Sequence, residues 1–131
     1  MFPRTIALLL ILAVVTAKDL PESAKRAFLK AAKGCTPDNV LEALNKDQYI
    51  PIEQLQNAYI CVLKKINFID DSGNIKENVI KKHWSKIYGE SEWPKLKKCL
   101  VKQETAGQTC LGLLNCQFTT SGIPENAFMV E

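Results

Sequence analysis

The chain has 131 residues, with 17 Lys and Arg against 14 Asp and Glu, one histidine, five cysteines and 47% hydrophobic side chains. A formal net charge of +3 is too small to hold the chain on nucleic acid by charge alone, and the length suits one domain whose modest core gains from cross-links. An odd cysteine count leaves either one free thiol or one bridge between chains.

The first residues, "MFPRTIALLLILAVVTAKDLP", combine Arg4, an apolar run from Ile6 to Val15 and the small-residue step Val15-Thr16-Ala17. That layout predicts a secretory signal peptide over residues 1–17, cut after Ala17. The apolar run is about half the roughly 20 residues that a spanning helix needs. The remainder, 18–131, then forms a single domain in an extracellular, oxidising compartment where disulfides persist. Without Arg4 its charge falls to about +2, and with no Asn-x-Ser/Thr acceptor N-glycosylation is not expected.

Six short helices follow in chain order. The first runs from Glu22 to Lys33, with Ala24, Ala27, Phe28 and Ala31 on one side and a stop at Gly34. Thr36 as N-cap and Pro37 at the first helical position open a short second helix. Pro51 opens the third, in which Ile52, Leu55, Tyr59, Val62, Leu63 and Ile66 recur at helical spacing. Cys61 and Asn57 point about 150° away from that stripe at 100° per residue, so both faces of this helix must be occupied. "DDSGN" at 70–74 is a turn. A fourth helix, Ile75 to Tyr88, carries Val79, Ile80, Trp84 and Ile87, and Gly89 ends it. Ser91 caps a fifth through Trp93, Leu96, Leu100 and Val101; a sixth, from Gln108 to Phe118, carries Leu111, Leu114 and Phe118. No period-two alternation or hairpin signal occurs, so the fold class is all-α.

The cysteines are spaced Cys35-x25-Cys61-x37-Cys99-x10-Cys110-x5-Cys116. With a signal peptide, six short helices and the run "CVLKKINFIDDSGNI", this pattern resembles the insect odorant-binding protein family of pheromone and general odorant-binding proteins. In that family six cysteines pair first to third, second to fifth and fourth to sixth. Cys35 and Cys61 match the first and third. The second cysteine's position is Asn57, a departure that resembles the cysteine-poor minus-C branch. The family usually has eight residues between the fifth and sixth cysteines, whereas Cys110 and Cys116 enclose five.

The resemblance implies a Cys35–Cys61 bridge, a Cys99–Cys116 bridge and a free thiol at Cys110. The first would close a loop worth about 3 kcal/mol in the loop-entropy picture. Cys99–Cys110 stays open as the competing pairing. Cys110–Cys116 is disfavoured, since six helical residues set the two about 120° and some 9 Å apart.

The resemblance also implies an apolar cavity among the helices; periodicity alone does not separate a packed interior from a hollow one. The residues that would line it are Leu55, Tyr59, Val62, Ile80, Trp84, Leu96, Leu100, Leu114 and Phe118, with Phe128 from the tail at 119–131. Tyr59 or Trp84 would supply a hydrogen-bond donor. The tail ends in an apolar cluster, Phe128-Met129-Val130, which fits a lid over the pocket, docking on the outside, or disorder. His83 is the candidate pH switch, its protonation loosening the fold or the lid. Lys81, Lys82, Lys86, Lys95, Lys97, Lys98 and Lys102 crowd helices four and five as a solvated face, an anionic-membrane surface or an acidic-partner site.

Enzyme signals are poor: His83 has no partner at a catalytic spacing, Gly-x-Ser-x-Gly is missing, and no Cys/His quartet suits zinc. "DDSGNIKE" fails as a calcium loop because Gly73 falls early and Lys81 stands where the terminal glutamate belongs. The expectation is a secreted carrier of small hydrophobic ligands such as an odorant, pheromone or other lipophile. It needs no cofactor or metal, works as a monomer or weak homodimer, and releases its ligand at a chemosensory receptor or membrane. The rivals are a saposin-like lipid and membrane interactor, whose three-bridge framework is missing, and a protein-interaction module without a cavity.

Overall fold

A computed structural model describes residues 21–124 and 126–128; the signal peptide expected over 1–17 and the tail residues Met129 and Val130 lie outside them. Among the described residues there are six α-helices, two short 3-10 turns and two isolated β-bridges, with no strand. α1 spans Glu22–Ala32, α2 Asp38–Asn45, α3 Ile52–Lys65, α4 Glu77–Tyr88, α5 Trp93–Leu96 and α6 Ala106–Ser121.

α1 buries Ala24, Lys25, Phe28 and Ala32. The buried lysine is tolerated because its stem packs in the core while its ammonium reaches out to the end of α2. There Nζ donates to Asn45 O at 2.8 Å and to Asp47 Oδ1 at 3.3 Å, so a cation meets the negative end of the α2 dipole. Pro37, not Thr36, is the residue before α2; Thr36 is buried beside the Cys35–Cys61 bridge and its hydroxyl has no partner.

α3 and α6 form the centre and pack most extensively on each other. α3 buries Leu55, Ala58, Tyr59, Cys61, Val62 and Leu63, which covers both sides of the helix, as the opposed placements of Leu55 and Cys61 require. Cys61 is joined to Cys35 with Cα atoms 6.0 Å apart. Lys65 Nζ donates to Lys33 O at 2.7 Å, a second tie between the end of α3 and the end of α1.

After α3, Asp70 closes the expected turn: its carboxylate accepts from the backbone N–H groups of Ser72 and Asn74, both at 2.9 Å. Those bonds hold its carboxyl below the usual aspartate value, chiefly through the Asn74 backbone N–H. Ile75 is bridged to Ile69 and Lys76 N donates to Phe68 O, so α4 starts at Glu77, two residues later than the periodicity predicts.

The predicted fifth helix shrinks to one turn. Pro94, which has no N–H, sits at its start, and 3-10 turns flank it at Glu90–Glu92 and Lys97–Cys99. Leu100 leaves the helix with ψ 73°, and Val101 is exposed. Cys99 is joined to Cys116 on α6, Cα atoms 5.5 Å apart, so of the two partners open to Cys99 the structure holds Cys116. α6 is longer than predicted. Thr105 caps it by accepting from Gln108 N at 3.1 Å, and Gly122, at φ 87°, ends it. It buries residues all round, among them Cys110, Leu111, Leu113, Leu114 and Gln117, as a central helix must.

Candidate ligand-binding site

Nine of the ten candidate residues are buried in one core: Leu55, Tyr59, Val62, Ile80, Trp84, Leu96, Leu114, Phe118 and Phe128. Leu100 is half-buried at its edge. Within this core two aromatic groups stand out. Phe28 of α1, Tyr59 of α3, Phe118 of α6 and Phe128 of the tail make one. Ring centroids are 4.7 Å apart for Phe28 and Tyr59, 5.2 Å for Phe28 and Phe128, and 6.4 Å for Phe118 and Phe128. These tilted and edge-on arrangements suit ring quadrupoles. Phe68 makes the second group, edge-on to Trp84 at 6.2 Å and to His83 at 5.1 Å.

Ala127 and Phe128 of the tail therefore dock inward. Phe128 is 1% exposed, and His83 Nε2 lies 3.2 Å from Ala127 O, so the imidazole N–H donates to the tail backbone. Tyr88 Oη donates to Gly122 O at 2.7 Å and fixes the start of the same segment. The tail's remaining apolar residues, Met129 and Val130, lie outside the described part.

A short polar pair runs from this interior toward its edge. Gln117, fully buried on α6, donates from Nε2 to Tyr88 Oη at 3.1 Å. Burial pushes the Tyr88 phenol up to about 12, against a smaller opposite pull from Gln117. Gln117 Oε1 and Trp84 Nε1, both buried, have no hydrogen-bond partner. Cys110 is a buried free thiol, and burial pushes it up to about 12 despite the opposing charge of Lys64.

Among the described residues two hollows lie elsewhere, and none of the ten residues lines either. One of about 90 Å³ is lined by Cys35, Thr36, Pro37, Asn39, Val40, Gln54, Asn57 and Ala58. The other, about 420 Å³, is a basic groove along α4 lined by Asn78, Lys81, Lys82, Ser85, Lys86 and Glu90. Lys81 Nζ also lies 5.8 Å from the Trp93 ring centre. No group of three or more His, Cys, Asp or Glu that could hold a metal ion occurs among the described residues, and no helix there is long and apolar enough to cross a membrane.

Sequence reasoning missed Phe28 and Phe68 as members of the aromatic groups. Phe28 was visible on the apolar side of α1, but nothing local says that it meets a residue of the tail. Gln117 was missed because a glutamine inside an apolar helix reads as its solvent side. Compared with models of protein families, the chain matches the PBP/GOBP family over residues 17–120, a span that holds α1 to α5 and all of α6 but Ser121, and leaves out the tail beyond residue 120. No curated protein and no solved structure gave a match.

Proposed function

The chain belongs to the PBP/GOBP family of small odorant- and pheromone-binding carriers, which are binding proteins and not enzymes, and from that premise we propose that it carries a small hydrophobic ligand in the core built by α1, α3, α4 and α6. One observation carries this reading to particular residues. Phe128, from a segment outside every helix, fills a place among Phe28, Tyr59 and Phe118. A side chain that reaches the core from a short tail can be exchanged for another apolar group without dismantling a helix.

In this mechanism the ligand enters as Phe128 leaves, and Leu55, Val62, Ile80, Leu96, Leu100 and Leu114 hold it by apolar burial. Ejecting a buried phenylalanine costs about 2–3 kcal/mol, which lowers the apparent affinity by the same amount. The exchange keeps the ligand releasable. The two disulfides hold the α1–α2 connection to α3 and the α5 region to α6 while the tail moves. The tail is thus an inward lid, and His83, through Ala127 O, is the group by which pH reaches it.

The same reading places the protein outside the cell, exported by the leader at 1–17, as a monomer or weak homodimer that gives up its ligand at a receptor or membrane. On the same reading Asn57, at the second cysteine's position, makes it a member of minus-C type. A fluorescent apolar probe, N-phenyl-1-naphthylamine, tests the carrier directly on the oxidised protein. Micromolar binding, with displacement by several hydrophobic compounds, is expected; a probe that does not bind points to an interaction module without a cavity. Binding to vesicles only when they contain anionic lipid points instead to a membrane interactor of saposin type.

A further inference from the structure

Two buried polar atoms in the core lack partners, and they are of opposite kind. Trp84 Nε1 is a donor only, and Gln117 Oε1 an acceptor only. Both residues are fully buried, and an unmade hydrogen bond there costs roughly 1–3 kcal/mol per group. The orientation of the Gln117 amide is fixed by its neighbours. Tyr88 Oη gives its only proton to Gly122 O, so the Gln117 atom that faces it at 3.1 Å must be the N–H donor. The amide oxygen is thereby turned away from Tyr88 Oη. Trp84 and Tyr88 are four residues apart on α4, so the two side chains stand on one face of that helix, a turn apart. Gln117, bonded to Tyr88, belongs to the same buried neighbourhood.

We propose that Trp84 Nε1 and Gln117 Oε1 form the polar end of the ligand site and select hydrophobic ligands that end in a hydroxyl group. The inference rests on the carrier reading and narrows it. An alcohol oxygen accepts from the indole N–H while its own proton goes to the glutamine oxygen, so one small group satisfies both atoms. An aldehyde, ester or ether can only accept, and leaves Gln117 Oε1 as it was. An alkane satisfies neither. The other buried unpartnered atoms, Thr36 Oγ1 and Asn115 Oδ1, do not join this pair: Thr36 lines the hollow at Cys35, and Asn115 is only partly buried.

The test uses displacement of N-phenyl-1-naphthylamine by 1-decanol, decyl methyl ether and decane. Decanol is expected to displace the probe about tenfold better than the ether, the worth of one buried hydrogen bond, with decane weakest. Gln117→Leu is expected to remove the difference between alcohol and ether, and Trp84→Phe to weaken both toward decane. Far-ultraviolet circular dichroism checks that each variant is folded. The comparison in the unaltered protein decides even where a variant fails to fold: equal displacement by alcohol and ether overturns this inference and leaves the carrier reading standing. Failure of all three compounds to displace a bound probe overturns both.

Discussion

Gly107 on α6 lies so close to Gln56 on α3 that a Cβ built on the glycine would stand 2.8 Å from the glutamine Cδ and 2.9 Å from its Cβ. Eight residues separate position 107 from Cys116, the spacing usual between the last two cysteines in the resembled pattern, and Gln56 precedes Asn57, where the second cysteine would be. Losing that bridge suggests looser tethering of α3 to α6. At this point the two helices are nonetheless in contact, and a residue without Cβ is what fits between them.

Gly107→Ala should therefore destabilise. Alanine adds up to about 1 kcal/mol of helix propensity, but overpacking a contact that includes the Gln56 Cβ costs roughly 1–3 kcal/mol. The net expectation is a loss of about 1 kcal/mol, or roughly 4 °C in Tm by calorimetry. An unchanged or higher Tm would show that α3 and α6 can part at little cost.

Phe128→Ala separates two roles for the tail. Removing a buried phenylalanine side chain costs about 3 kcal/mol, and Tm should fall accordingly. If Phe128 occupies the ligand's place, the apolar probe should bind more tightly to this variant than to the parent. Weaker binding would make Phe128 a wall of the site and not its occupant.

The sequence suggests that protonating His83 loosens the tail, whereas the contact with Ala127 O argues for the opposite sign. The neutral ring already donates Nε2–H to that carbonyl at 3.2 Å, and the imidazolium keeps this donor and adds a charge. Acidification from pH 7 to 5 should hold the tail more firmly, and probe affinity should fall roughly threefold to tenfold. His83→Asn, which takes up no proton, should flatten the profile. Affinity that stays level or rises toward pH 5 would overturn this sign.

Cys110 should be chemically silent in the folded state. With its thiol pushed up to about 12 by burial, almost no thiolate is present at pH 8. Iodoacetamide is expected to leave the native protein unlabelled and to add one group per chain in denaturant without reductant. The peptide that carries Cys110 should bear it. Rapid labelling of native protein would mean that α6 opens readily.

What could be read in advance divides by range. Helix positions were legible because Leu55, Tyr59 and Ile66, or Ile80 and Trp84, repeat with a period that one helix sets by itself. The shortened α5 was not, since Leu96, Leu100 and Val101 also repeat helically while Pro94 and the bridge from Cys99 decide the path of the chain. Most of the apolar candidates could be named, because a residue on an inward face is buried whichever neighbour covers it. Partners across the fold could not. Lys25 at the end of α2, Gln117 against Tyr88 and Phe128 against Phe28 are each pairings between distant segments that no local pattern encodes.

The meeting of Phe28 with Phe128 also sets an order of assembly. Synthesis delivers Phe28 early, Tyr59 next, and Phe128 only after the six described helices have been made, so this cluster cannot be completed until the segment beyond α6 arrives. Contacts between such remote positions are slow to form. During that interval the early rings are bare, and a hydrophobic small molecule resting on them would stand in for the chain's own last aromatic side chain.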